Sequence, residues 1–135
     1  MHCEKSGVTD HFARNEYHAL KITKDIISNL GHDPDIQVDP YEEPLYPIDD
    51  ITGILPKSIY QQYDPRQIIS RIVDGSQFHE FKNLYGTELV TGFASMYGVK
   101  IGIIANIGAM NSEEALKGAH FIELCDQRRI PILFL

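Results

Sequence analysis

The 135-residue chain has no tryptophan and only two cysteines, Cys3 and Cys125. Neither cysteine belongs to a CxxC pair; one disulfide between them is the alternative, but two free thiols in a reducing compartment are expected. No apolar run approaches the ~20 residues that a membrane-spanning helix needs. The longest, Val99 to Ile107, is interrupted by Lys100 and has the length of a strand. The opening Met1-His2-Cys3-Glu4-Lys5 lacks the apolar segment of a secretory signal. Basic residues are short too: 12 Lys and Arg face 19 Asp and Glu, a formal net charge of −7. That sign repels duplex nucleic acid and anionic membranes as main partners. There is no P-loop, GxSxG, HExxH or strand-coupled GxGxxG signature. The six histidines are scattered without the spacing that a zinc site requires. What remains is 43% hydrophobic and 23% charged, an ordinary globular composition. It reads as a soluble, acidic, intracellular domain.

Apolar spacing and punctuation place the elements. Asn15 as N-cap, Glu16 in the first turn and Gly31 beyond the end predict a helix over 15–30, with Tyr17, Leu20, Ile27 and Leu30 on one face. Six of the seven prolines fall between residues 31 and 65, so this stretch is expected to be extended, with neither a long helix nor a central strand. Its apolar content (Tyr41, Leu45, Tyr46, Ile48, Ile51, Ile54, Leu55) implies packing against a neighbouring body. Asp64-Pro65 marks the start of a second helix that ends at Asp74-Gly75, with Ile68, Ile69, Ile72 and Val73 buried. Residues 76–85 read as a loop. Residues 88–96 and 99–105 read as two strands of a hairpin turning at Tyr97-Gly98. Ser112 is the expected cap of a third helix, which runs to about Arg129 and buries Leu116, Ala119, Phe121, Ile122 and Leu124 in part. A last strand follows Pro131. Strand, strand, helix, strand implies a hairpin followed by a crossover. The apolar strand at the end, lacking its own cover, is expected of a segment from a larger α/β protein.

Candidate chemistry is sparse. Cys125 sits late in a helix, where the dipole disfavours a thiolate. The turn Asn106-Ile107-Gly108-Ala109 lies between the carboxyl end of an apolar strand and a helix start, where ligands of helix-flanked sheets often sit. A tight turn without a ligand accounts for it equally. Phe78, Phe81 and Tyr85 fit either a flat cofactor pocket or packing of the loop on the hairpin.

Several stretches then become recognisable together. They are His2-Cys3 with Ser6-Gly7-Val8-Thr9-Asp10, Asn15 to Leu20, the connector Glu43-Pro44-Leu45-Tyr46-Pro47, and Ile72 to Phe81 continuing into Tyr85-Gly86 and Leu89 to Ala94. Lys117 to Phe121, Leu124-Cys125 and Ile130 to Leu135 complete them. Spread over the whole chain, this pattern resembles the biotin-dependent acyl-CoA carboxyltransferases. Within that family it is most similar to the methylcrotonoyl-CoA branch. The propionyl-CoA branch usually has a proline near Ile107 and an arginine at the place of His120.

The resemblance implies a partial crotonase-like α/β fold spanning the junction of two related halves. Residues 1–36 would end the first half, 37–64 would form the connector and 65–135 would open the second. It implies transfer of a carboxyl group from carboxybiotin to an acyl-CoA, with methylcrotonoyl-CoA expected and propionyl-, acetyl- or geranoyl-CoA as alternatives. A non-catalytic assembly chain is the alternative of another class. Biotin would be carried on a biotin-carboxylase partner, since no Met-Lys-Met acceptor is present here, and like subunits would associate. The family stabilises two developing oxyanions with main-chain amides, so conspicuous acid, base or metal residues are not required. Its glycine pairs for that task fall outside this segment, so no catalytic residue is expected within it. By resemblance Arg71, Asp74, Phe78, Phe81, Tyr85, Gly92 and Phe93 belong to an acyl-CoA region, and Asn106, Ile107, Gly108 and Ala109 to the floor of the biotin and substrate pocket. Localisation would be the mitochondrial matrix in a eukaryote and the cytoplasm in a bacterium.

Overall fold

A computed structural model describes residues 1–30, 40–58 and 60–135. One π-helical turn, His2–Ser6, opens the chain and is followed by α1, Glu16–Asn29. Asn15 caps α1 as expected, its side chain accepting from His18 N–H at 2.8 Å. The Gly31 cap and the proposed boundary near residue 36 lie outside the described residues. The prolines that are described act as anticipated. Among the described residues between 40 and 64 there is only a short 3-10 turn, Ile48–Asp50, running into the four-residue α2, Ile51–Ile54.

Helix α3, Arg66–Ile72, begins one residue later than Asp64-Pro65 implies, with Asp64 still supplying the side-chain acceptor for Arg66 N–H at 3.0 Å. It is followed by β1, Phe78–Phe81; β2, Leu89–Met96; β3, Val99–Asn106; α4, Ser112–Gln127; and β4, Ile132–Phe134. These strands form one sheet in the order β1-β2-β3-β4. The first two pairs are antiparallel, while β3 and β4 are parallel, with α4 as the crossover between them.

The hairpin turns where expected. Tyr97 and Gly98 both adopt positive φ (52° and 76°), the arrangement whose twist matches the flanking strands. The Asp74 carboxylate holds this turn, accepting from Tyr97 N–H at 2.9 Å and Gly98 N–H at 2.7 Å.

Strand alternation sorts the core onto two faces. On one, Ile69 and Val73 around α3 pack on Val90, Ala94, Ile101, Ile103 and Ala105. On the other, Phe121 and Cys125 of α4 pack on Phe81, Leu89 and Ile104.

Three expectations are corrected. Residues 76–85 are not simply a loop, because β1 occupies 78–81. It is a short edge strand whose Glu80 is neutralised by Arg66 (2.9 and 2.5 Å), so a polar pattern hides a paired element. The cap of α4 is Asn111 rather than Ser112, in a capping box with Glu114. Of the five α4 residues expected inside, Phe121 is buried and Leu124 half-buried, while Leu116, Ala119 and Ile122 face outward. The inward stripe is Glu114, Lys117, Gly118, Phe121 and Cys125. It is more polar than hydrophobic spacing would choose, because its charges bond to loop backbone.

Candidate functional site

The candidate pocket floor is a real turn at the carboxyl end of β3. Asn106 Nδ2 donates to the Gly108 carbonyl at 2.8 Å, folding the turn on itself. Ile107 N–H donates to the Glu88 carbonyl at 2.8 Å, tying it to the segment before β2, and the Ile107 side chain packs on the α3-side core. A Cβ at position 108 would meet the Glu88 carboxylate and come within 2.6 Å of Gln62 Nε2, so a larger residue there requires these two flexible side-chain ends to move aside. Among the described residues the N–H groups of Gly108 and Ala109 have no acceptor. Adjacent amides without an acceptor of their own suit a carbonyl or ureido oxygen, and so the donor chemistry fits a biotin or thioester ligand.

The seven residues of the expected acyl-CoA region do not converge on one pocket. Arg71, Asp74, Phe78 and Gly92 lie on the α3 side of the sheet, whereas Phe81 and Phe93 lie on the α4 side against Phe121, at ring distances of 5.6 and 4.9 Å. The Tyr85 ring is buried against Gly7. Asp74 is committed to the hairpin turn. Arg71 donates to the Gln67 carbonyl at 2.8 Å, pairs with Asp50 at 3.4 Å and lies over the Tyr46 ring. Phe78 and Phe93 border a common cleft of about 500 Å³ that also touches Asp74, Lys21, Asn29 and His79. His79 stacks on His11 at 5.1 Å and meets Asn29 Nδ2 at 3.0 Å; burial holds both imidazoles below their ordinary pKa.

Both cysteines are free thiols. Burial pushes the Cys125 thiol up to about 11, so it is not a nucleophile at neutral pH. Sequence reasoning missed the buried charges against segment 86–89. Lys117 Nζ donates to the carbonyls of Gly86 (3.2 Å) and Leu89 (2.6 Å). Glu114 accepts from Glu88 N–H (3.4 Å) and Asn111 N–H (3.1 Å). Asn111-x-x-Glu114 carried a capping-box signal; for Lys117, a lysine on a helix, the sequence carried none.

A family model, the carboxyl transferase domain, matches residues 1–135. The chain belongs to that family. It is 53% identical over its whole length to the mitochondrial methylcrotonoyl-CoA carboxylase beta chain of Dictyostelium discoideum, covering 23% of that protein. It is 47% identical to the biotin-dependent 3-methylcrotonyl-coenzyme A carboxylase beta1 subunit of Mycobacterium tuberculosis, again over the whole chain, covering 26% of the relative. The structure of the transcarboxylase 12S hexamer with methylmalonyl-coenzyme A superposes with a TM-score of 0.88 at 30% identity, over 98% of this chain and 27% of the other. The geranyl-CoA carboxylase beta subunit of P. aeruginosa gives a TM-score of 0.69 at 34% identity, over 99% of this chain and 26% of that one. The chain thus carries part of the crotonase-like carboxyltransferase fold and spans about a quarter of the length of the relatives it matches. Among the described residues no helix is long and apolar enough to cross a membrane.

Proposed function

We propose that the chain is a segment of the carboxyltransferase subunit of a methylcrotonoyl-CoA carboxylase. The observation that carries this reading is the gradient of likeness. Identity across the chain is 53% to the methylcrotonoyl-CoA carboxylase beta chain of D. discoideum and 28% to the propionyl-CoA carboxylase beta chain of Saccharopolyspora erythraea. Biotin, carried on a partner subunit, supplies the carboxyl group in activated form.

This chain's own residues then bind and orient. The unpaired amides of Gly108 and Ala109 offer donors to a substrate or ureido oxygen, and Asn106 and Ile107 set their direction. Of the acyl-CoA region, Phe78 and Phe93, which border the cleft, are assigned ligand contact, and Arg71 a supporting role through Asp50 and Tyr46. Asp74, Phe81, Tyr85 and Gly92 serve it by fixing the turn and the sheet. The segment runs from the end of the first half (1–36) through the connector (37–64) into the second half (65–135). Its partners are the biotin-carrying subunit and further copies of its own kind. It works in the mitochondrial matrix in a eukaryotic source, in line with the mitochondrial names of relatives such as that of Arabidopsis thaliana, and in the cytoplasm in a bacterial one.

The test is carboxylation by the full-length parent assembled with its biotin-carrying partner, ATP and bicarbonate, in competition among acyl-CoAs. Methylcrotonoyl-CoA is expected to be preferred. Preference for propionyl-, acetyl- or geranoyl-CoA, or no carboxylation, overturns the reading.

A further inference from the structure

Against segment 86–89, to which the turn 106–109 is tied, lies a pair of charged side chains that the proposed chemistry does not use. Lys117 is 1% exposed and Glu114 4%, both on the inner stripe of α4. No carboxylate pairs with the Lys117 ammonium at ion-pair distance among the described residues; its partners are two carbonyls three residues apart, Gly86 and Leu89. Between these carbonyls, Glu88 N–H is taken by Glu114, and the Glu88 carbonyl accepts from Ile107 N–H. One helix face therefore grips three backbone sites of the 86–89 segment, the Gly86 and Leu89 carbonyls and the Glu88 N–H, and that segment grips the turn. Burying an ammonium away from a counter-charge is costly, and a well-packed apolar side chain would fill the space more cheaply. The feature secured at that cost is the position of a loop.

We propose that Lys117 and Glu114 are positioning residues of the carboxyl transfer: they clamp segment 86–89 and, through the Glu88 carbonyl, set the height of the turn 106–109 beneath the reacting groups. This rests on the pocket-floor reading above. Glu80, Arg66 and Lys82 lie close enough to influence the Lys117 charge without bonding to it. Most of the binding energy of a CoA ester comes from parts remote from the reacting carbon, so a displaced floor spoils alignment in the transition state more than binding.

The experiment uses the full-length parent in complex with its biotin-carrying partner. Lys117→Met keeps the bulk and removes the donors. The expected result is a kcat lowered by between about 10-fold and 10²-fold, with KM for the acyl-CoA changed less than about twofold. Hydrogen exchange at the Ile107 amide is expected to accelerate at least about tenfold, as the Glu88 acceptor is released. An unchanged kcat, a loss expressed mainly in KM, or unchanged exchange at Ile107 overturns the proposal. Should Lys117→Met fail to assemble, Glu114→Gln, which keeps one of the two acceptors, decides by the same readouts and with the same expected direction. If the wild-type complex carboxylates no acyl-CoA, the functional reading falls, while exchange at Ile107 still tells whether the clamp exists.

Discussion

Helices α1 and α4 are of similar length and both are capped by an asparagine, yet they stand in opposite relations to the core. Along α1 the apolar stripe is open: Tyr17 is 81% exposed and Leu20 63%, and no residue of the helix is buried. Along α4 the buried stripe includes a glutamate, a lysine and a glycine, while Leu116 is 64% exposed. Hydrophobic periodicity thus names a face correctly in neither helix. Caps and propensity decide that a helix forms; what lies opposite decides which face is inside.

The sharpest way to break this contrast is to empty the one aromatic socket that α4 fills. Phe121 is fully buried against Phe81 and Phe93. Phe121→Ala is expected to cost about 3–5 kcal/mol in denaturant unfolding, as the transfer and cavity terms add. A loss below ~1 kcal/mol would mean that the polar contacts alone seat α4. Next in size is Asp74→Ala, which strips both acceptors from the hairpin turn. About 2 kcal/mol of stability is expected to go, from hydrogen bonds to a charged acceptor. The 97–98 amides are expected to exchange faster while α4 amides do not.

Smaller, and a difference of differences, is the pH dependence carried by Lys117. Burial pushes its ammonium down to about 8 from 10.5. Below pH 8 the group is charged in folded and unfolded chains alike, and its burial penalty is fully present. Between pH 8 and 10.5 the folded chain has released the proton while the unfolded chain still holds it, so stability rises with pH. The melting temperature of wild type relative to Lys117→Met is therefore expected to climb as the pH is raised from 7 to 10. Cys125, whose raised pKa acts in the opposite direction at alkaline pH, is present in both proteins and cancels. A flat or falling difference would contradict a desolvated lysine.

The parts of the fold legible from sequence were those written in local chemistry. Asn15 marked α1, Tyr97-Gly98 marked the hairpin, and the apolar run Ile101 to Ala105 of β3 announced a strand covered on both sides. Long-range pairing was not legible. Phe78-His79-Glu80-Phe81 becomes a strand only because Ala94 to Thr91 lie beside it and Arg66 meets Glu80. The turn 106–109 could be located as a candidate site from strand end and glycine alone, but its support could not. That depends on where the chain brings Gly86, Leu89 and Lys117 together, and a lysine at a helical position looks solvated until its partners are known. Likewise the aromatics of the acyl-CoA region form a plausible set in sequence and are divided by the sheet in space.

The last test concerns α1 and has the smallest expected effect. In this 135-residue chain, Leu20→Ala removes a side chain that is 63% exposed and replaces it with a better helix former. Stability is expected to stay within about 0.5 kcal/mol of wild type, as for surface substitutions elsewhere, and Leu116→Ala on the outer face of α4 is expected to behave alike. The same two substitutions in the full-length parent give the comparison its edge. A loss there of ~2 kcal/mol or more, against none in the short chain, would show that the stripe is interior in the larger protein, since truncating a buried leucine carries that cost. A loss of that size already in the short chain would contradict the open stripe. It would also remove the contrast between the two helices, because α1 would then be held by its apolar face as α4 is held by Phe121.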